Sequence, residues 1–165
     1  VTKVDANQVV VERFIQAAPD RVFKALTHAD EIERWFFTDV TTDPRPGGGY
    51  AMWWRSATEP QRDHDRVGRY LEFIPGRKLV FEWQGSPDCP RKFPWDKPTV
   101  VTITLSPEGT GTCLKLVHTG FDDTDTGRDS CKAHAEGWNF YADQLGRYLT
   151  GGPDLRAEKF GQKIK

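Results

Sequence analysis

Residues 130–149, SCKAHAEGWNFYADQLGRYL, decide the fold. Cys131, His134, Trp138, Tyr141, Leu145 and Tyr148 recur there at spacings of three and four, which puts them in one stripe on one face of a helix. At 1.5 Å per residue that helix would span roughly 30 Å, and Gly151-Gly152-Pro153 stops it. A helix this long, with large rings along one face, has to lie across an apolar surface of similar extent. The rest of the sequence must supply that surface.

Upstream of the helix the period changes to two. Residues 99–105 and 112–119 read as a hairpin across Ser106-Pro107-Glu108-Gly109-Thr110-Gly111, with apolar faces Val101, Ile103, Leu105 and Leu114, Leu116, His118. Residues 78–84 give a strand with Leu79, Phe81 and Trp83 on one face. Residues 67–74 give another, closed by Pro75-Gly76. A strand at 50–55 follows the turn at residues 43–49, and the polar stretch 59–66 reads as a solvated hairpin loop. Residues 85–98 hold Pro87, Pro90, Pro94 and Pro98 and must be irregular, although they contain Phe93 and Trp95. Nearer the start, residues 9–17 read as a first strand whose buried face is ambiguous. Pro19 then opens a short helix carrying Val22, Phe23 and Leu26. Thr27, with Asp30 three residues on, is placed to cap a second helix bearing Ile32, Trp35 and Phe36. One strand, two short helices, a hairpin series and a long helix make an α+β domain: a curved antiparallel sheet of about six to seven strands around a C-terminal helix. Residues 1–165 are expected to form a single domain, with its core at 9–149 and a polar tail at 150–165.

Whole-chain properties narrow the function classes. A net charge of −1 from 23 basic and 24 acidic residues gives no pull toward nucleic acid. No apolar run reaches the length of a membrane span, and residues 1–8 lack the basic start and apolar stretch of a signal peptide. Cys89, Cys113 and Cys131 show no Cys-x-x-Cys spacing, which suits reduced thiols and a cytoplasmic protein. Neither a metal nor another cofactor is expected.

The candidate site residues are aromatic and imidazole groups. Trp35, Trp54, Trp83 and Trp138, together with Tyr141, come from a short helix, the sheet and the long helix, and are candidates to line a space between them. Trp53 is a further candidate of the same kind. His118 shares a face with Leu114 and Leu116, and His134 shares one with Trp138 and Tyr141, so two imidazoles would sit in apolar surroundings and stay neutral. They would either orient a ligand, act as acid and base, or simply be hydrogen-bonded core histidines. Phe121 and the loop 122–129 would form a mouth. Several other patterns fall short. Cys131 and His134 lack a third, orienting group. The run Asp123-x-Asp125-x-Gly127-x-Asp129 has its glycine one position out of place for a calcium loop, and His134 where the twelfth-position Glu belongs. Asp63-His64-Asp65 has no partner ligands nearby in sequence, and Gly47-Gly48-Gly49 precedes no Lys-Ser/Thr. Arg13, Arg55 and Arg69 are each candidates to anchor a carboxylate from the inner face of a strand.

Several phrases, in order, resemble one family. They are the run from Ala18-Pro19-Asp20 to Thr27, Arg34-Trp35-Phe36, Asp43-Pro44-Arg45-Pro46-Gly47-Gly48, and Gly68-Arg69-Tyr70 through Pro75. Leu79-Val80-Phe81-Glu82-Trp83, residues 99–105, His118-Thr119-Gly120-Phe121 and Glu136-Gly137-Trp138 continue the match. The family is typified by the C-terminal domain of the activator of heat-shock protein 90 ATPase, in the START-like, SRPBCC superfamily. The resemblance implies a helix-grip (START-like, Bet v-like) fold and the binding of a small apolar or amphipathic molecule between sheet and helix. The alternatives it leaves open are a cyclase- or hydrolase-type enzyme using His134 or His118 as general base, and a protein-interaction domain, either a chaperone regulator or a homodimer. Against the chaperone form stands that the founding co-chaperone engages its chaperone through a second domain that these residues do not contain.

Overall fold

In the computed structural model, which describes residues 1–5, 7–89 and 97–165, the period-two stretches pair into one antiparallel sheet of eight strands. The strands are β1 (Thr2–Val4), β2 (Val9–Ile15), β3 (Asp39–Thr42), β4 (Gly49–Trp54), β5 (His64–Ile74), β6 (Lys78–Trp83), β7 (Thr99–Glu108) and β8 (Gly111–Thr119). Across the sheet they run β1-β2-β8-β7-β6-β5-β4-β3. Sequence neighbours β2 and β3 thus lie toward opposite edges, and α1 (Pro19–Thr27) with α2 (Ala29–Ile32) make the crossing between them. The long helix α3 (Asp125–Thr150) lies against β1 and β2, and α4 (Arg156–Phe160) follows it. The α+β helix-grip architecture stands. The strand count exceeds the expected six to seven, since strands as short as β1 and β3 carry too few residues to show a period. Phe93 and Trp95 lie outside the described residues.

Register settles the face of β2. Val9 pairs with His118 and Val11 with Leu116, so Val9, Val11, Arg13 and Ile15 face inward while Phe14 is left 54% exposed. Strand β5 changes partner along its length. His64 to Arg69 pair with β4, and Tyr70 to Ile74 pair with β6, with an irregularity between Tyr70 and Glu72. Gly68 permits the changeover, because a Cβ there would stand 2.3 Å from the Glu82 carbonyl oxygen. Inside the sheet, Trp35, Phe36, Phe81 and Trp138 join one buried cluster. Trp35 stacks on Phe36 at 5.0 Å and donates its indole N–H to the Ala25 carbonyl at 2.9 Å.

Four local readings change, each for a physical reason. Thr27 does not cap a second helix. Its hydroxyl donates back to the Phe23 carbonyl at 2.8 Å, which keeps it in α1 and shortens α2 to Ala29–Ile32. The long helix starts before residue 130, at Asp125, because the Thr124 hydroxyl accepts from the Gly127 N–H at 3.0 Å. The stretch resembling a calcium loop is therefore that helix start, with Arg128 paired to Asp123 and Asp125. Stretch 59–66 is not all solvated loop. After a single 3-10 turn (Pro60–Arg62), residues 64–66 already belong to β5, and Asp65 and Arg66 are buried.

The polar end of the chain also folds back as a strap. Arg156, 2% exposed, donates to the carbonyls of Glu33 (3.0 Å), Arg34 (3.2 Å) and Phe36 (2.9 Å), and to the Asp154 carboxylate (2.7 Å). Gln162 donates to the Phe36 carbonyl at 2.6 Å and accepts from the Tyr141 hydroxyl at 2.8 Å. These groups satisfy the carbonyls left over where α2 ends, which explains why the strap is polar and yet buried.

Candidate functional site

Between α3 and strands β4, β5 and β6 the sheet and helix do not close, and a cavity of about 400 Å³ remains. Trp54 enters it from β4, Trp83 from β6, and His134, Trp138 and Tyr141 from α3, while Phe160 of α4 adds a ring from the strap. Small residues on the helix, Ala133 and Gly137, keep the space open. A Cβ on Gly137 would meet nothing within 4 Å.

Two tryptophans and two histidines are hydrogen-bonded in pairs beside this space. Trp83 donates its indole N–H to Nε2 of His134 at 3.1 Å, and Trp138 donates to Nδ1 of His118 at 2.9 Å. The acceptor nitrogens fix the tautomers. His134 therefore carries its proton on Nδ1, which faces the Ser130 carbonyl at 2.8 Å. His118 carries its proton on Nε2, 2.7 Å from the Thr99 hydroxyl, which in turn donates to the Trp83 carbonyl at 3.1 Å. Burial pushes the His118 pKa well down, helped by the nearby His134 and Arg66. Burial likewise lowers that of His134 to about 4, against the opposing effect of its Ser130 bond. Both rings are neutral at neutral pH, and the lone pair each would need as a base is already accepting an indole proton.

The sequence candidates divide by position. Trp54, Trp83, His134, Trp138 and Tyr141 come together on the wall of the cavity. Trp35 lies deeper and lines a separate apolar crevice of about 30 Å³, shared with Met52 and Ile103. His118, fully buried, sits a layer behind the wall because its register partners Val9 and Val101 hold it inside the sheet. Phe121 packs on His118 at 4.5 Å and on His134 at 5.2 Å, sealing the pair from the far side rather than opening a mouth. Trp53 points to the other face of β4, under the Arg55 guanidinium at 4.2 Å. Cys131 is buried with its sulfur 3.9 Å from the Asp5 carbonyl, and burial raises its pKa. Among the described residues, no group of three or more His, Cys, Asp or Glu is placed to hold a metal, and no helix is long and apolar enough to cross a membrane.

The three arginines singled out by sequence do not reach the cavity. Arg13 faces inward but is clasped by Asp143 of α3 at 2.8 Å, Arg55 pairs with Asp39 at 3.1 Å, and Arg69 pairs with Glu82 at 2.8 Å. Instead, Arg62, His64 and Arg66 line it, together with Phe36 and Phe37. Pairing shows the cause. His64 lies opposite Trp54 and Arg66 opposite Met52, so both share the inward face of β5 with Tyr70. Continuing the period of two backward from Tyr70 through Gly68 would have found them.

The model of the family described as Activator of Hsp90 ATPase homolog 1-like protein matches residues 16–150. A protein from Mesorhizobium loti has a similar solved structure, with a TM-score of 0.71 and 26% identity, over 88% of this chain and 98% of its own. One from Chromobacterium violaceum gives a TM-score of 0.69 at 25% identity, over 90% and 99%. Another, from Rhodobacter sphaeroides, gives 0.75 at 22% identity, over 92% and 97%, a likeness of fold alone. No curated protein sequence matches the chain.

Proposed function

The chain belongs to the family of Activator of Hsp90 ATPase homolog 1-like proteins, and from that premise we propose that it binds one small hydrophobic or amphipathic molecule between sheet and α3. The observation that carries this reading is the aromatic-walled cavity of about 400 Å³. Its size falls in the range that small-molecule sites occupy, and protein interiors otherwise leave few voids larger than a water molecule. Polar groups stand among the rings, and the imidazole of His134 is held in one orientation by Trp83 and the Ser130 carbonyl, which suits recognition. The engaged lone pairs of His118 and His134 favour binding over acid–base catalysis.

Thermal melting in the presence of a panel of small apolar and amphipathic compounds tests the reading. A ligand that binds only the folded state raises the melting temperature with its concentration. The expected result is a graded rise for a subset of aromatic compounds, lost when Gly137→Leu fills the space beside the helix. A flat response across the whole panel would sink the proposal.

A further inference from the structure

The cavity is long, and its width is braced. Its helix wall runs from Ser130 to Tyr141, about 16 Å at 1.5 Å per residue. Two indole hydrogen bonds tie that wall to the sheet. Trp83 donates to Nε2 of His134 at 3.1 Å, and Trp54 donates to the Tyr141 hydroxyl at 3.1 Å. His134 and Tyr141 stand about two turns apart on α3, so the ties hold the gap between helix and sheet at two points along it. Length is the dimension left to tell one ligand from another.

The Tyr141 end is closed by a ring from neither the sheet nor α3. Phe160 of the strap lines the cavity there, meeting Phe140 edge-on at 4.8 Å and Tyr141 at 5.9 Å. Its backbone is pinned on both sides. Before it, buried Arg156 holds the carbonyls where α2 ends. After it, Gly161 takes a φ of 65° and turns the chain directly out of α4. The Gly161 carbonyl then accepts from the Ala57 N–H at 2.8 Å, and the Lys163 N–H donates to the Arg55 carbonyl at 2.8 Å. Between them Gln162 is fully buried, bridged to Ser56 and bonded to the same Tyr141 hydroxyl that Trp54 reaches. A ring seated between two such anchors swings aside only if the strap lets go. Phe160 also lies past residue 150, the last that the family model matches.

We propose that Phe160 is the length-determining residue of the site: the ligand is an elongated amphiphile lying along α3, and its end abuts the Phe160 ring. This rests on the binding reading above and adds a shape and a limit to it. Each methylene that finds room among the rings tightens binding about fourfold. The first that has to displace Phe160 gains nothing, because buried hydrogen bonds of the strap must break to admit it.

The probes are the 4-n-alkylphenols from ethyl to decyl, titrated against the wild-type chain by quenching of tryptophan emission. The expected result is binding that tightens about fourfold per added methylene up to one chain length and gains nothing beyond it. Phe160→Ala withdraws the ring and should move that break to longer chains. Phe160→Trp enlarges it and should move the break to shorter ones. Opposite shifts in the two variants are not what a general loosening of the fold produces. A break at the same length in the wild type and either folded variant overturns the assignment of Phe160 and leaves cavity binding standing. So does a wild-type affinity that climbs through the whole series without a break, a result that needs no variant to fold. Failure of every alkylphenol to bind counts against the cavity reading itself, and this inference falls with it.

Discussion

The two ends of the helix–sheet layer are built differently. At the β1–β2 end, α3 is fastened to the sheet. The inward Arg13 reaches Asp143 at 2.8 Å and the Thr2 hydroxyl bonds Asn139 at 2.8 Å, over buried Val9 and Val11. At the β4–β5 end the helix stands off and about 400 Å³ stays open, with Arg66 on the wall. Both ends carry an arginine on the inner face of a strand. At one the arginine holds the helix; at the other it lines the cavity.

The sharpest way to break this contrast is to remove the ring that belongs to both ends. Trp138 lies 5.3 Å from Trp83 and 5.5 Å from Phe36, and it supplies the proton that His118 accepts. Trp138→Ala should cost about 3–5 kcal/mol in urea unfolding. A cost below about 1 kcal/mol would mean that the filled end does not depend on the wall of the open one. Next comes the strap that closes the open end. Arg156→Ala leaves the Glu33 and Arg34 carbonyls without their side-chain donor, and the Phe36 carbonyl with Gln162 alone, and should cost about 3 kcal/mol, read in the same way.

Acid should loosen the open end through His134. Its folded pKa of about 4 lies below the ordinary 6.5, so between those values the unfolded chain holds a proton that the folded chain lacks. The stability is present in full above 6.5 and falls as pH drops toward 4, by up to about 3 kcal/mol. Unfolding free energies at matched pH values should show a shallower acid slope in His134→Asn than in the wild type. The smallest effect has the opposite sign. Gly137→Ala places a methyl where nothing lies within 4 Å and removes a mid-helix glycine, so it should stabilise by about 0.5–1 kcal/mol. A loss there would show that the helix needs that freedom.

Period and punctuation made much of this legible. The stripe from Cys131 to Tyr148 and the alternation in residues 78–84 and 99–119 gave the sheet, the helix and their contact. Five of the aromatic and imidazole positions singled out from the sequence do meet at the cavity, because rings on facing apolar surfaces have nowhere else to go. What stayed hidden was set by tertiary context. The charged run from Glu59 to Arg66 looks like a loop by composition, yet pairing with β4 draws its last residues into the sheet. His118 looks identical to a wall residue in the pattern, and only register places it behind one. The strap reads as polar tail because its partners are carbonyls that no sequence pattern displays.

The central claim is that the space beneath α3 receives a ligand, and the most direct test is a fluorescence titration with N-phenyl-1-naphthylamine, a neutral aromatic probe. The wild type should show saturable enhancement at one site per chain, with quenching of tryptophan emission from Trp54, Trp83 and Trp138 at the wall. Gly137→Leu, which fills the space from the helix side, should abolish both signals. Equal binding in the two proteins, or none in either, would contradict the account.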